Sequence, residues 1–349
     1  MRRTSRSGAR RLAAAVLAVA VGWIASGEPA FAEADADGRL LVANAGDGTV
    51  TVYDIPAHTL KATLPVGKDP RAVLATPDGR KAWVVNHGDG TLSVIDLRSL
   101  KVTKTVRHAQ MEKPRSLALS PDGARLLVTS EASRRLILID AVKDVVVRVA
   151  TTAKPDPRAV ALAKGGSRAW VAHRAGDAIT IVEVPALKTL RTLKVGQGPE
   201  GIALSPNQRF MLATLSDAGQ VAVIDVGRLE VATRLPAGQK PAAIVFRPKS
   251  SLALVANRGS DDVTALDVAS RQVVATIPVG RQPSGLAVND RGTRAYVANS
   301  GSNSVSVLAL PGLEVTATIE TGAAPAAVAA APMPAAAAKK AAPSQKKKP

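Results

Sequence analysis

Residues 283–308 read PSGLAVNDRGTRAYVANSGSNSVSVL. A proline opens a short apolar run, an NDRG turn ends it, AYVAN follows, and the stretch closes on the alternating residues SVSVL. Period-2 alternation rich in β-branched residues marks strands, and clusters of Asn, Asp and Gly mark turns. The same order of parts recurs along the chain. Opening prolines stand at Pro70, Pro114, Pro157, Pro199, Pro241, Pro283 and Pro325, at intervals of 44, 43, 42, 42, 42 and 42 residues. The YVAN-like element ends at Asn44, Asn86, Ser130, His173, Thr214, Asn257 and Asn299, and the next element ends at Asp54, Asp96, Asp140, Glu183, Asp225, Asp267 and Ala309. Three markers agree on seven copies. A period near 42 with several strands per copy predicts a β-propeller.

Each copy carries four strand signals. The first follows the proline (RAVLAT, RSLALS, GLAVN), and TPDG or SPDG turns it into the second (KAWVVN, RAWVAH, RAYVAN). The third alternates most cleanly (VTVYD, LSVID, VAVID), and the fourth is a Val/Thr run such as VVATI. Seven such units fill the chain from about residue 37 to 331. The first copy starts at its second strand, RLLVAN, and the last stops after its first, PAAVAA. An open ring exposes two edges that invite aggregation. If residues 326–330 supply the inner strand and residues 39–65 the outer three, the ring closes. The fold class is all-β: a seven-bladed β-propeller of four antiparallel strands per blade, closed by pairing the two ends of the chain.

Composition narrows the chemistry. Aromatic residues make up only 2% of the 349, so the core is built from Val, Ile, Leu and Ala. Cysteine is absent, which excludes disulfides, thiolate metal sites, c-type haem attachment and a cysteine nucleophile. The formal charge is +18. Residues 1–32 hold five arginines and one glutamate, and the tail at 332–349 holds five lysines, so residues 33–331 keep +9. The first segment, MRRTSRSGARR followed by LAAAVLAVAVGWIA and AFA, is read as a secretory signal cleaved after Ala32, which places the protein in the periplasm or outside the cell. Retention of that segment as an anchor and a twin-arginine route through Arg10-Arg11 are the alternatives. The Ala/Pro/Lys tail at 332–349 is expected to be disordered. Once the signal is cleaved no membrane span is expected, and the expected state is a monomer.

YVAN at 296–299, LVAN at 41–44 and 254–257, the SPDG turns and the VIDL endings resemble the YVTN-type repeat. Over about residues 37–331 the chain resembles a YncE-type secreted seven-bladed propeller. That resemblance implies the fold; for function it implies only a range. Proteins with such repeats include binding proteins and surface adhesins, and one is associated with single-stranded DNA. Related propellers carry lactonase chemistry, haem d1 or a quinone. The copies at Ser130, His173 and Thr214 depart from the motif.

Most recurrent residues read as structure. Trp83, Trp170 and Tyr296 share one position with Leu41, Leu127, Met211 and Leu254, which is the behaviour of a packing site between blades and unlike the stacking platforms of single-strand binders. Asp54, Asp96, Asp140, Asp225 and Asp267 recur where a short carboxylate accepts bonds from turn amides. EADADG at 33–38 lacks the spacing and closing Glu of a calcium loop. His58, His87, His108 and His173 lie in different copies with no partner at metal-ligand or triad spacing. No cofactor and no metal is expected.

One position breaks the repetition. Arg71, Arg115 and Arg158 each follow their copy's proline, and the same place is then Glu200, Ala242, Ser284 and Ala326. The loop entering the first strand and the loop leaving YVAN fall on one face of the ring, so His87, His173, Arg174 and Arg258 join them there. Guanidiniums on one side of a channel mouth form a directed anion site, because Arg grips carboxylate or phosphate with a fork of donors. The expected ligand-binding residues are Arg71, Arg115, Arg158, His87, His173 and Arg174, with mutual repulsion among the cations. Two function classes stay open. One is a non-enzymatic propeller that binds an anionic partner, which would be a peptide, an envelope polymer or, with weaker support, nucleic acid. The other is a propeller enzyme such as a lactonase or a cofactor-dependent redox protein.

Overall fold

The apolar runs become strands, and the turn signals become the turns between them. The computed structural model describes residues 38–55 and 57–334. The expected signal at 1–32 and the lysines of the tail lie outside the described residues. Within them, 28 strands form seven sheets of four antiparallel strands, and the one helical turn is a 3-10 turn at Arg174–Gly176. No described helix is long and apolar enough to cross a membrane. The sheets are the blades of a propeller. Blade 1 holds β1 (Gly38–Asn44), β2 (Thr49–Ile55) and β3 (Thr59–Pro65), and its inner strand is β28 (Pro325–Pro332). The partners Asn44↔Pro325, Leu40↔Ala330 and Gly38↔Pro332 close the ring as the repeat register requires. The inner strand runs from Pro325 to Pro332, one residue before and two residues beyond the expected 326–330.

The other inner strands are β4 (Pro70–Ala75), β8 (Pro114–Leu119), β12 (Pro157–Leu162), β16 (Pro199–Leu204), β20 (Pro241–Phe246) and β24 (Pro283–Val288), each opening blades 2 to 7 in turn. Each blade is buried on both faces, so the core is laminated between neighbours. Trp83 (1% exposed) packs with Leu126, Val128 and Ile137 of the next blade, while Trp170 and Tyr296 fill the equivalent place elsewhere. The aromatic positions are core, as their interchange with Leu implied. Asp96, Asp140, Asp225 and Asp267 are turn devices, while Asp54 pairs with Lys61 at 3.0 Å. Asp96 accepts from the amides of Arg98 and Ser99, and Asp140 from those of Val142 and Lys143. Those amides hold both carboxyls below their usual range.

The marker at the end of the second strand is off by one in blade 5. Pro199 pairs with Leu215 as Pro157 pairs with His173, so Leu215, not Thr214, holds the motif position, and Leu212 rather than Met211 holds the packing position. The ring residue there is apolar and left no polar signal in the sequence. Elsewhere the motif asparagine has a clear task. Asn86 is fully buried and donates to Thr91 and Ser93 on the next strand, at 2.9 Å each. Gly67 faces it, and a Cβ on Gly67 would lie 2.6 Å from the amide. Gly238 and Gly280 face Asn257 and Asn299 in the same way.

Candidate functional site

The loops that enter the first strand and leave the second are tied together in every blade. The amide of His87 donates to the Asp69 carbonyl (3.0 Å), and Glu131, Arg174, Ser216, Arg258 and Ser300 repeat the bond with Lys113, Asp156, Gly198, Lys240 and Gln282. Blade 1 closes the set with Ala45 and Ala324. The residue before each opening proline is left-handed, as in Asp69 (φ 52), Lys113 (φ 49) and Asp156 (φ 54). The residue after each proline then falls in a β-bulge, because register against the second strand slips between Pro70 and Ala72, Pro114 and Ser116, and Pro157 and Ala159. A bulge re-aims a side chain out of the pleat. Here it turns the arginines to the channel mouth.

Two rings of variable residues result. The bulge ring reads Arg71, Arg115, Arg158, Glu200, Ala242, Ser284 and Ala326. The ring just after the second strand reads His87, Glu131, Arg174, Ser216, Arg258, Ser300 and Ala45. Charge therefore sits on blades 2 to 6, and small neutral residues occupy blades 7 and 1.

These charges pair across blades. Arg115 reaches Glu200, two blades on, at 3.1 Å. Glu200 also takes Arg174 at 2.9 Å and faces Arg258 at 3.9 Å. Arg174 holds Asp217 at 2.7 Å. Arg158 lies 2.7 Å from Asp156 and 3.4 Å from Glu131, and Arg71 lies 2.7 Å from Asp69. The His87 ring bridges two carboxylates, with Nδ1 3.1 Å from Asp69 and Nε2 3.5 Å from Glu131. Glu131 is held down to about 2, first by His87 and then by Arg158 and Arg115. Burial pushes Glu200 upward, but the guanidiniums of Arg115, Arg158, Arg258 and Arg174 outweigh it and keep the carboxyl below its usual range. Burial lowers Arg115 and the neighbouring Arg158 and Arg71 add to that, with Glu200 opposing. A guanidinium so placed remains charged.

The mouth opens into a channel cavity of about 320 Å3. Its wall carries four guanidiniums, Arg71, Arg115, Arg158 and Arg258, and one carboxylate, Glu200. Asp69, Glu131, Asp156 and Asp217 are not part of that wall; the first three hold Arg71 and Arg158 from outside it, and Asp217 holds Arg174, which also lies outside it. The opposite arc is made of small residues, among them Ala242, Gly285 and Ala326.

Set against the sequence reading, Arg71, Arg115, Arg158, Arg174 and His87 come together at one mouth. His173 does not join them. It stands at the motif-asparagine place, fully buried, and burial pushes its ring down to about 4 despite the carbonyls of Pro155 and Lys154 beside it. The expected repulsion among bare cations is also corrected, because five carboxylates are interleaved with the five arginines. Of the five acids, only Glu200 falls on the shared bulge position. The signal was present in part: Asp69-Pro70-Arg71 and Asp156-Pro157-Arg158 repeat a DPR triplet whose acid pairs with its own arginine.

A family model described as "Lactonase, 7-bladed beta-propeller" matches residues 23–233, more than half of the chain. The chain belongs to this seven-bladed lactonase-type propeller family. A second model, described as a YNCE-like beta-propeller, matches residues 177–294, in line with the repeat resemblance. The match to the lactonase-type family spans Arg71, Arg115, Arg158, Arg174 and Glu200 but stops short of Arg258. Comparison with curated proteins finds no match. Among solved structures, Kuenenia stuttgartiensis hydrazine synthase is similar at 21% identity, with a TM-score of 0.68, over 76% of this chain and 91% of that one. A functionally unknown protein from Desulfotomaculum acetoxidans is similar at 12% identity, with a TM-score of 0.75, over 84% of this chain and 99% of that one. At these identities the likeness is one of fold.

Proposed function

We propose that this lactonase-type propeller is a non-enzymatic binding protein that lodges an anionic group of its partner in the channel mouth. The observation that carries the reading is the division of charge: four guanidiniums and one carboxylate line the cavity, while three further carboxylates, Asp69, Asp156 and Glu131, brace Arg71 and Arg158 from outside it. Braced arginines keep their forks aimed without an ordering cost at binding. The small-residue arc leaves room for the uncharged body of a ligand. A volume of about 320 Å3 suits a compact group, either a small molecule or the end of a chain. The basic leader at 1–32 supports an envelope or extracellular setting for that partner.

The test is calorimetric titration of the full chain with small oxyanions, in parallel with the triple variant Arg71→Gln, Arg115→Gln, Arg158→Gln at physiological salt, where long-range attraction is screened. Binding by the parent that the triple variant loses supports the reading. Equal binding by both would end it.

A hydrolytic reading has the family description on its side. A general base works best with a pKa near the working pH. Glu131 is instead held low by His87 and then by Arg158 and Arg115, and Glu200 by the guanidiniums around it, which favours binding over proton abstraction. Turnover of a lactone panel that Glu200→Gln abolishes would favour the enzyme.

A further inference from the structure

Glu200 stands at the same bulge position as Arg71, Arg115 and Arg158, but with the opposite charge. It is 8% exposed, the most buried of the four, and three guanidiniums point at it: Arg115 at 3.1 Å, Arg174 at 2.9 Å and Arg258 at 3.9 Å. Those three come from blades 3, 4 and 6, on both sides of its own blade. It is the sole carboxylate among the described residues that line the cavity. This is the coordination expected of a bound anion, supplied by the chain itself.

We propose that Glu200 is a tethered stand-in for the ligand's anionic group, and that it sets the charge an incoming anion must carry. The inference rests on the anion-site reading above. A monovalent carboxylate offers the arginines no more than Glu200 already does, and it must give up its free translation as well. A doubly charged oxyanion offers more charge and more acceptor oxygens. Placed between Arg71, Arg115 and Arg158, it can share Arg115 with Glu200 and still gain. The tethered carboxylate thus makes the site selective for dianionic groups over monocarboxylates. Selectivity of this kind is built by repulsion against the wrong ligand as much as by attraction to the right one.

The probes are sulfate, whose charge does not change across the working pH range, and acetate. The proteins are the full-length parent, Glu200→Gln, Glu200→Ala and Glu183→Gln. Alanine already occupies the bulge position in blades 6 and 1, so the ring accommodates it. Glu183 ends the third strand of blade 4, paired with Arg168 at the end remote from His173, and its substitution gives the same change in net charge away from the mouth. The parent is expected to bind sulfate and to show at least tenfold weaker binding of acetate. Both Glu200 variants are expected to bind sulfate about tenfold more tightly and to bind acetate measurably, with Glu183→Gln within twofold of the parent. Sulfate binding by the parent with equal or weaker binding by both Glu200 variants would overturn the stand-in role and leave the anion site intact. Absence of sulfate binding in the parent and in every variant would overturn the anion site as well.

Discussion

The Arg115–Glu200 pair offers a test of how the mouth is held together. Side-chain exposure is 19% for Arg115 and 8% for Glu200, and the closest contact is 3.1 Å. Breaking a buried ion pair by removing one partner costs about 3–5 kcal/mol, because the other charge is left stranded. The two halves of this pair are stranded to different degrees. Arg115→Gln leaves Glu200 with Arg174 at 2.9 Å and Arg258 at 3.9 Å, so its cost falls below that range, at about 2 kcal/mol. Glu200→Gln leaves Arg115 without another ion pair among the described residues and beside the like charges of Arg158 and Arg71, so its cost is about 3 kcal/mol. In a domain of this size 1 kcal/mol moves Tm by about 2 °C, giving losses of about 4 and 6 °C. The double variant strands neither charge in the pair, so its loss should fall short of the sum by about 2 kcal/mol. Thermal unfolding followed by circular dichroism and by the fluorescence of the buried Trp83 and Trp170 reads all four proteins. If Arg115→Gln costs more than Glu200→Gln, or the two are additive, Glu200 is not shared among three arginines and the electrostatic account fails.

Ring closure predicts that deleting residues 325–349 exposes β1 and removes buried Val328, lowering Tm by more than 5 °C (about 3 kcal/mol for the side chain and its ladder), while deleting 335–349 moves it by less than about 1 °C. Equal losses from the two deletions would refute the shared blade. Gly67→Ala drives a Cβ to 2.6 Å from Asn86 and should cost about 1–3 kcal/mol. Adding Asn86→Ser should recover most of it, since blade 3 has Ser130 at the motif position and the bulkier Met111, three residues before its proline, at the glycine's place; an unrescued double variant would place the strain elsewhere. His173 is lowered from 6.5 to about 4, so the unfolded chain binds the extra proton between those values and stability falls by about 3 kcal/mol as pH drops through that window. Urea unfolding of His173→Asn should lack this loss. Glu131, lowered from 4.5 to about 2, adds a second loss between those values, about 1 kcal/mol once its 26% exposure is discounted, and Glu131→Gln should remove it. Unchanged acid profiles in both variants would refute the assignments.

The fold was legible because its markers are local. Proline, the PDG turns and the strand alternation each depend on a few neighbouring residues, and the period multiplied that weak signal sevenfold. Closure was legible because the two ends are out of register with each other in a complementary way. Leu215 was missed because the blade 5 motif position lost its polar residue, and only pairing with Pro199 reveals it. The site was half legible. A shared sequence position placed three arginines on one face, and Arg71 and Arg158 pair with acids two residues away, but the pairs of Arg115 and Arg174 join residues 85, 26 and 43 apart, in different blades. Such pairs follow from ring geometry, which no local window contains. His173 sits in the same register as the buried motif asparagines, and that register outweighed its polarity.

A sevenfold repeat tends toward a symmetric channel, and a symmetric channel offers a ligand no direction. The bulge after each proline is where this chain breaks the symmetry at little structural cost. The core lies between blades and is filled by the second and third strands, whereas the bulge residue lies on the channel side of the inner strand. The ring accordingly holds arginine, glutamate, alanine and serine at that one position without disturbing the blades around it. The pre-proline turn is more constrained, since its left-handed backbone recurs in all seven copies. Backbone geometry is thus held constant while side-chain charge varies along the ring. Arginine on three successive blades, glutamate on the fourth and small neutral residues on the remaining three form a polarised mouth, with charge on one arc and free space on the other. A ligand that carries its charge at one end and an uncharged body at the other matches that polarity in one orientation only.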